Sequence, residues 1–119
     1  MRLFYLLCAI LVIALGLAHT AATFVFFDTL TSRAIWFASA GLVLVLQGAL
    51  NILNRAYGST ARGVMWTCVG ANLVMAAFTT LARIVDRAPA AQLVVIVGLQ
   101  LATLGLSWLP AARASPTQP

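Results

Sequence analysis

The stretch AIWFASAGLVLVLQGALNIL, Ala34–Leu53, decides the fold. It runs 20 residues without a charged side chain, with Arg33 before it and Arg55 just beyond it. An α-helix rises about 1.5 Å per residue, so about 20 residues cross a hydrocarbon core about 30 Å thick. Three further segments read the same way: Leu3–Phe27, Val64–Ala82 and Ala90–Leu109. All seven arginines and both aspartates fall between these segments or at their ends. The expectation is an all-α integral membrane protein. Residues 1–110 would form one antiparallel four-helix transmembrane bundle with short loops, and 111–119 a disordered polar tail.

Composition bears this out and excludes other classes. The chain is 63 % apolar and 8 % charged, too little charge for the surface of a soluble domain. The net charge of +5 comes from arginines spread singly along the chain. Nucleic-acid binding needs several cations on one water-facing surface, so no nucleic-acid partner is expected. Arginines beside apolar spans anchor helix ends and meet lipid headgroups, which makes membrane lipids the expected partners. The basic residues are all arginine and alanine is abundant. That usage fits a GC-rich bacterial genome, and hence a bacterial inner membrane.

The start, Met1-Arg2 followed by an apolar run, has the outline of a secretory signal. The run resumes through Phe24-Val25-Phe26-Phe27 and exceeds a signal's apolar core, so an uncleaved first helix is expected. Cys8 and Cys68 lie inside spans with no CxxC or Cys/His spacing, and read as small buried apolar residues. No metal site and no cofactor is expected.

Short connections make successive helices antiparallel neighbours. With four spans the termini share a side with the middle loop, and together these carry Arg2, Arg55, Arg62 and Arg113. The other two loops carry Arg33, Arg83 and Arg87. Positive-inside counting therefore puts both termini in the cytoplasm, by a margin of one arginine. Tyr5, Tyr57, Trp66 and Trp108 are expected near the cytoplasmic interface, where a ring with a polar tip is most stable.

The polar residues inside the spans fall on helical stripes. On the second span they are Gln47, Asn51 and Asn54, with the small Ala40 and Gly48. The third carries Cys68, Asn72, Thr79 and Arg83, and the fourth Gln92, Gln100, Thr103 and Ser107. Spacings of three and four keep the second- and third-span sets each on one face, and the fourth-span set follows more loosely. By the helical rise, Gln47, Asn72 and Gln100 reach similar depths near mid-membrane. They are expected to form one amide cluster, either as interhelical glue or as a polar path. Toward the opposite end, His19, Thr20 and Thr23 on the first span approach Thr79 and Arg83 on the third. His19 is the one side chain within a span that titrates near neutral pH. These five form a second candidate polar site.

Gly41 and Gly48 allow close helix approach on the second span, and Gly98 and Gly105 repeat the spacing on the fourth. Span count and length resemble those of small multidrug exporters and fluoride channels. The exporters' glutamate in the first helix has no counterpart here, and Phe78-Thr79-Thr80-Leu81 does not reproduce the channels' motif. Catalysis would need paired carboxylates, an activated nucleophile or a metal, and the spans supply none, so no enzyme is expected. The leading expectation is a binding or assembly protein. It would act through helix faces or lipid contacts, as a homo-oligomer or with a larger membrane-protein partner. The alternative is a small dimeric transporter or channel subunit with a path near Gln47, Asn72 and Gln100.

Overall fold

The computed structural model describes residues 1–87 and 89–114, apart from the side chain of Gln92. These residues form four helices and no strand: α1 (Arg2–Phe26), α2 (Ser32–Tyr57), α3 (Arg62–Val85) and α4 (Ala90–Trp108). The molecule is elongated, 56 × 28 × 21 Å. Helices α1, α2 and α3 are each long and apolar enough to cross a membrane. Helix α4 has 19 residues, fewer than the 25, 26 and 24 of α1, α2 and α3.

Helices α2 and α3 outrun their apolar segments. Helix α2 continues through Asn54-Arg55-Ala56-Tyr57, and α3 starts at Arg62 and runs to Val85. Hydropathy marks where lipid-compatible side chains stop, whereas a helix continues until its backbone finds a stop signal. For α2 the start is Thr31, whose hydroxyl accepts from the Ala34 N–H at 3.2 Å. Its end is Gly58, whose N–H donates to Asn54 O.

Direction follows from the side-chain pairs. Tyr5 meets Asn51 and Asn54, whereas Thr20 meets Ala38, so α1 and α2 are antiparallel. Asn72 and Cys68 of α3 meet Gln47 and Asn51, and Trp66 meets Trp108, which continues the alternation. Helices α2 and α4 run the same way, since Gln47 meets Gln100 and Asn54 meets Ser107.

The tightest seam is α1 against α2, the most extensive helix pair. A Cβ added at Gly16 would stand 2.5 Å from Gly41 O, and one at Gly41 would stand 2.6 Å from Gly16 O. At Gly48 a Cβ would come 2.8 Å from Ala9 O. Backbone faces backbone here, so no side-chain movement would make room. The glycines of α4 behave differently: nothing lies within 4 Å of a Cβ at Gly98 or Gly105. They face outward and bring no helix of this chain close.

The distribution of polarity is the reverse of a water-soluble protein's. The buried apolar cluster is small, Tyr5, Cys8, Leu106 and Ala112. The other buried positions include Gln47, Asn51, Asn54, Asn72, Gln100, Thr103 and Ser107. The exposed surface carries Phe24, Val25, Phe26, Trp36, Leu46, Val74 and Val94. Water would favour the opposite arrangement, since exposing leucine and phenylalanine to it costs free energy.

The chain beyond α4 is ordered further than its composition predicts. Pro110–Ala112 form a 3-10 turn, Ala112 and Arg113 are buried, and the Ala114 N–H donates to Arg55 O at 2.7 Å. Arg113 is held by the carbonyl of Gly58 on the α2–α3 loop and that of Trp108 at the end of α4. Residues 115–119, the rest of the segment expected to be disordered, lie outside the described residues.

Candidate functional site

Two polar regions occupy the bundle. The first lies in the half nearer the termini and draws on all four helices. Asn51 and Asn72 form a reciprocal amide pair, with Nδ2 to Oδ1 distances of 2.9 and 2.8 Å. Gln47 and Gln100 form a second pair, at 2.6 and 3.2 Å. Gln47 Nε2 also donates to Asn72 Oδ1 at 2.8 Å and so joins the two. The Tyr5 hydroxyl donates to Asn51 Oδ1 at 2.8 Å and accepts from Asn54 Nδ2 at 2.9 Å. Asn54 Nδ2 reaches Ser107 O of α4, and the Cys68 thiol donates to Asn51 Oδ1 at 3.3 Å.

The physical logic is that of satisfaction. An amide buried without a partner costs on the order of 1–3 kcal/mol, so a network persists only when its members use each other's donors and acceptors. Here every amide has a partner; Asn54 Oδ1 is the buried atom left without one. Gln47 is 3 % exposed, and Asn51, Asn54, Asn72 and Gln100 are fully enclosed. Amides and hydroxyls at this depth fix helix rotation and register. They offer no group that exchanges protons at neutral pH.

The expected trio of Gln47, Asn72 and Gln100 does meet, with Asn51 between them. Sequence reading missed Tyr5 as a member. It reads as an interfacial aromatic, yet it is fully buried with its hydroxyl bonded. The signal was available: Tyr5 and Cys8 lie three apart on the first span, on the face that Ala9 and Val12 continue.

The second region is a cavity of about 220 Å³ toward the other end. His19, Thr79, Arg83 and Asp86 supply its polar wall, and Leu15, Phe37, Leu44, Met75, Phe78 and Ile96 its apolar one. His19 stacks on Phe37 with ring centroids 4.1 Å apart and planes 23° apart. Phe26 and Phe27 hold Phe37 in turn, at 5.9 and 5.6 Å. Arg83 Nε is buried and has no hydrogen-bond partner. His19 and Arg83 also line a more open groove against Ala91, Val95 and Ile96 of α4, so they stand at its mouth.

Of the five residues expected together here, three meet and two do not. Thr20 Oγ1 donates to Ala38 O at 3.3 Å in the α1–α2 seam. Thr23 is buried and lines a separate space of about 120 Å³ with Asp28 and Phe27. Gly16, Thr20 and Thr23 share one helical face, and the glycine contact turns that face toward α2. His19 stands beside that face and so reaches the cavity. Asp86, which no stripe predicts, enters because α3 runs past its apolar segment.

None of these cavities is lined by Gln47, Asn51, Asn72 or Gln100. Among the described residues, no three His, Cys, Asp or Glu side chains gather where they could hold a metal ion. Comparison with protein-family models, with curated proteins and with solved structures returned no match.

Proposed function

We infer that this chain is a non-enzymatic membrane protein, a binding or assembly bundle that works through helix–helix and lipid contacts. It sits in a bacterial inner membrane with four spans and both termini cytoplasmic. One observation carries the reading: amides are sealed inside while large apolar side chains cover the outside. That arrangement is stable in lipid, where buried amides must find protein partners and apolar surface costs nothing. The outward glycines Gly98 and Gly105 leave α4 a flat face on which a second membrane helix can pack closely.

Alkaline extraction of membranes from expressing cells tests the class, followed by native mass measurement of the complex in detergent. The chain stays in the membrane pellet and carries a second copy, a stoichiometric partner or retained lipid. Release into the alkaline supernatant, or a bare monomer without lipid, contradicts the reading. Orientation is tested by periplasm-active reporters, which give signal after Arg33 and Pro89 and none after Ser59. The reverse pattern overturns it.

A second reading is a small transporter, favoured by the cavity at His19 and Arg83, where a titratable ring and an unsatisfied guanidinium share a wall. Flux of a labelled anion into proteoliposomes, abolished by Arg83→Gln, would turn the assignment toward transport.

A further inference from the structure

We propose that the cavity beside His19, Thr79 and Arg83 binds an aromatic monocarboxylate, an anion of the size and shape of benzoate. The inference rests on the membrane residence argued above and does not require transport. The cavity measures about 220 Å³. A cavity of about 150 Å³ lined by leucine, isoleucine and phenylalanine takes up benzene. The larger one here leaves room for a ring and one small polar group.

The walls are divided by chemistry. Leu15, Leu44, Met75 and Ile96, one from each helix, supply an aliphatic surface. Phe37 and Phe78 add aromatic rings, and His19 already stacks on Phe37 with planes 23° apart. Aromatic rings favour offset-stacked or edge-to-face partners, so a planar guest gains more here than a flexible chain. A purely apolar guest would leave the opposite wall unused.

That wall carries donors one helical turn apart. Thr79 and Arg83 are four residues apart on α3 and share the face that lines the cavity. Their neighbour Thr80 bonds back to Ala76 O at 2.7 Å, whereas none of the described residues accepts from the Thr79 hydroxyl. Arg83 Nε is buried without a partner. An arginine in the last turn of a helix suits the helix dipole, so its place on α3 is ordinary. Its unused donors beside a cavity are not. A carboxylate matches the guanidinium fork with two parallel hydrogen bonds and can accept from a hydroxyl as well. Asp86, the C-cap residue of α3, borders the same cavity. Among the described residues it forms no ion pair with Arg83. Its carboxylate makes a second negative charge on the guest unfavourable, so a monoanion fits better than a phosphate dianion.

The test uses the full chain in a non-ionic detergent, with para-fluorobenzoate as the probe and fluorine NMR line broadening as the readout. Titration shows saturable binding. Arg83→Gln weakens it at least about tenfold, the loss of a charge-assisted pair. Thr79→Val weakens it less. The uncharged para-fluorobenzamide, of the same shape, binds the unaltered chain at least about tenfold more weakly than the benzoate. Ala82→Leu fills the cavity from its wall while keeping Arg83, and weakens binding as Arg83→Gln does. Arg62→Gln, at the opposite end of α3, leaves binding unchanged. In an Ala82→Cys chain the probe slows modification by N-ethylmaleimide, which locates the guest without relying on a variant that loses it. Unchanged binding to Arg83→Gln overturns the proposal. So does a benzamide bound as tightly as the benzoate, or a probe that fails to slow modification at position 82. Octanoate bound more tightly than the benzoate would give the cavity to an alkyl chain and overturn the aromatic guest. A chain washed from membranes by alkali fails the membrane reading itself. A chain that stays in the membrane and binds no para-fluorobenzoate fails this proposal alone.

Discussion

The two polar regions of the bundle lie between the same helices and end in opposite states. Around Asn51 and Asn72, four helices converge and almost every buried donor meets an acceptor. Around His19 and Arg83, the same helices leave a cavity of about 220 Å³ and a buried guanidinium nitrogen without a partner. The difference is in α4. Its buried residues, Gln100, Thr103, Leu106 and Ser107, all lie in its second half, while Ala91, Val94 and Val95 in its first half are exposed. Where α4 packs inward, polar groups satisfy one another. Where it does not, they are left for something else. In the closed half the buried amides bond one another, and in the open half His19 and Arg83 face unfilled space.

The strongest way to break this contrast is at the seam on which both halves depend. Gly41→Ala should destabilise the bundle by about 1–3 kcal/mol, because besides the Thr20 hydroxyl the added carbon meets the Gly16 carbonyl and the Thr20 backbone nitrogen, which cannot turn aside. Unfolding in mixed micelles with increasing dodecyl sulfate measures it. Gly98→Ala, in open space on α4, is the control and should leave monomer stability unchanged. Equal effects would mean that α1 and α2 do not meet through their glycines.

Next in size is the amide at the centre. Asn72→Leu removes partners from Gln47 and Asn51 together, and should cost about 1–2 kcal/mol in the same assay. Gln100→Leu leaves Gln47 bonded to Asn72 and should cost about 0.6 kcal/mol. If the order is reversed, the network is not centred on the Asn51–Asn72 pair.

The smallest effect sharpens the other side. His19→Ala should change stability by less than either amide substitution, since the ring borders empty space on one side. A large loss would show that stacking on Phe37, and not an open site, is what His19 supplies.

The helices and the inward amides were legible because their signals are local: an uncharged run of about 20 residues and polar spacings of three and four. The rotation of α1 was not. It depends on Gly16 lying against Gly41, a long-range contact that sends Thr20 and Thr23 into the seam and His19 to the cavity. Tyr5 misled because an aromatic near a chain end has the same look whether it anchors at an interface or reaches inward to an asparagine. Arg113 misled for a related reason. A short polar, proline-bearing segment reads as disordered until the carbonyls of Gly58 and Trp108 are seen to receive it.

The central claim is that one half is sealed and the other open, and a thiol in each half can report on it. Cys68 lies fully buried in the amide network, and an Ala82→Cys substitution would place a third thiol, besides Cys8 and Cys68, on the cavity wall. Both are exposed to N-ethylmaleimide in the same chain, reconstituted in vesicles, and read by peptide mass. The account predicts rapid modification at position 82 and protection of Cys68 over the same period. Modification of Cys68 as fast as position 82 would contradict it, by showing that the amide network is open to solvent.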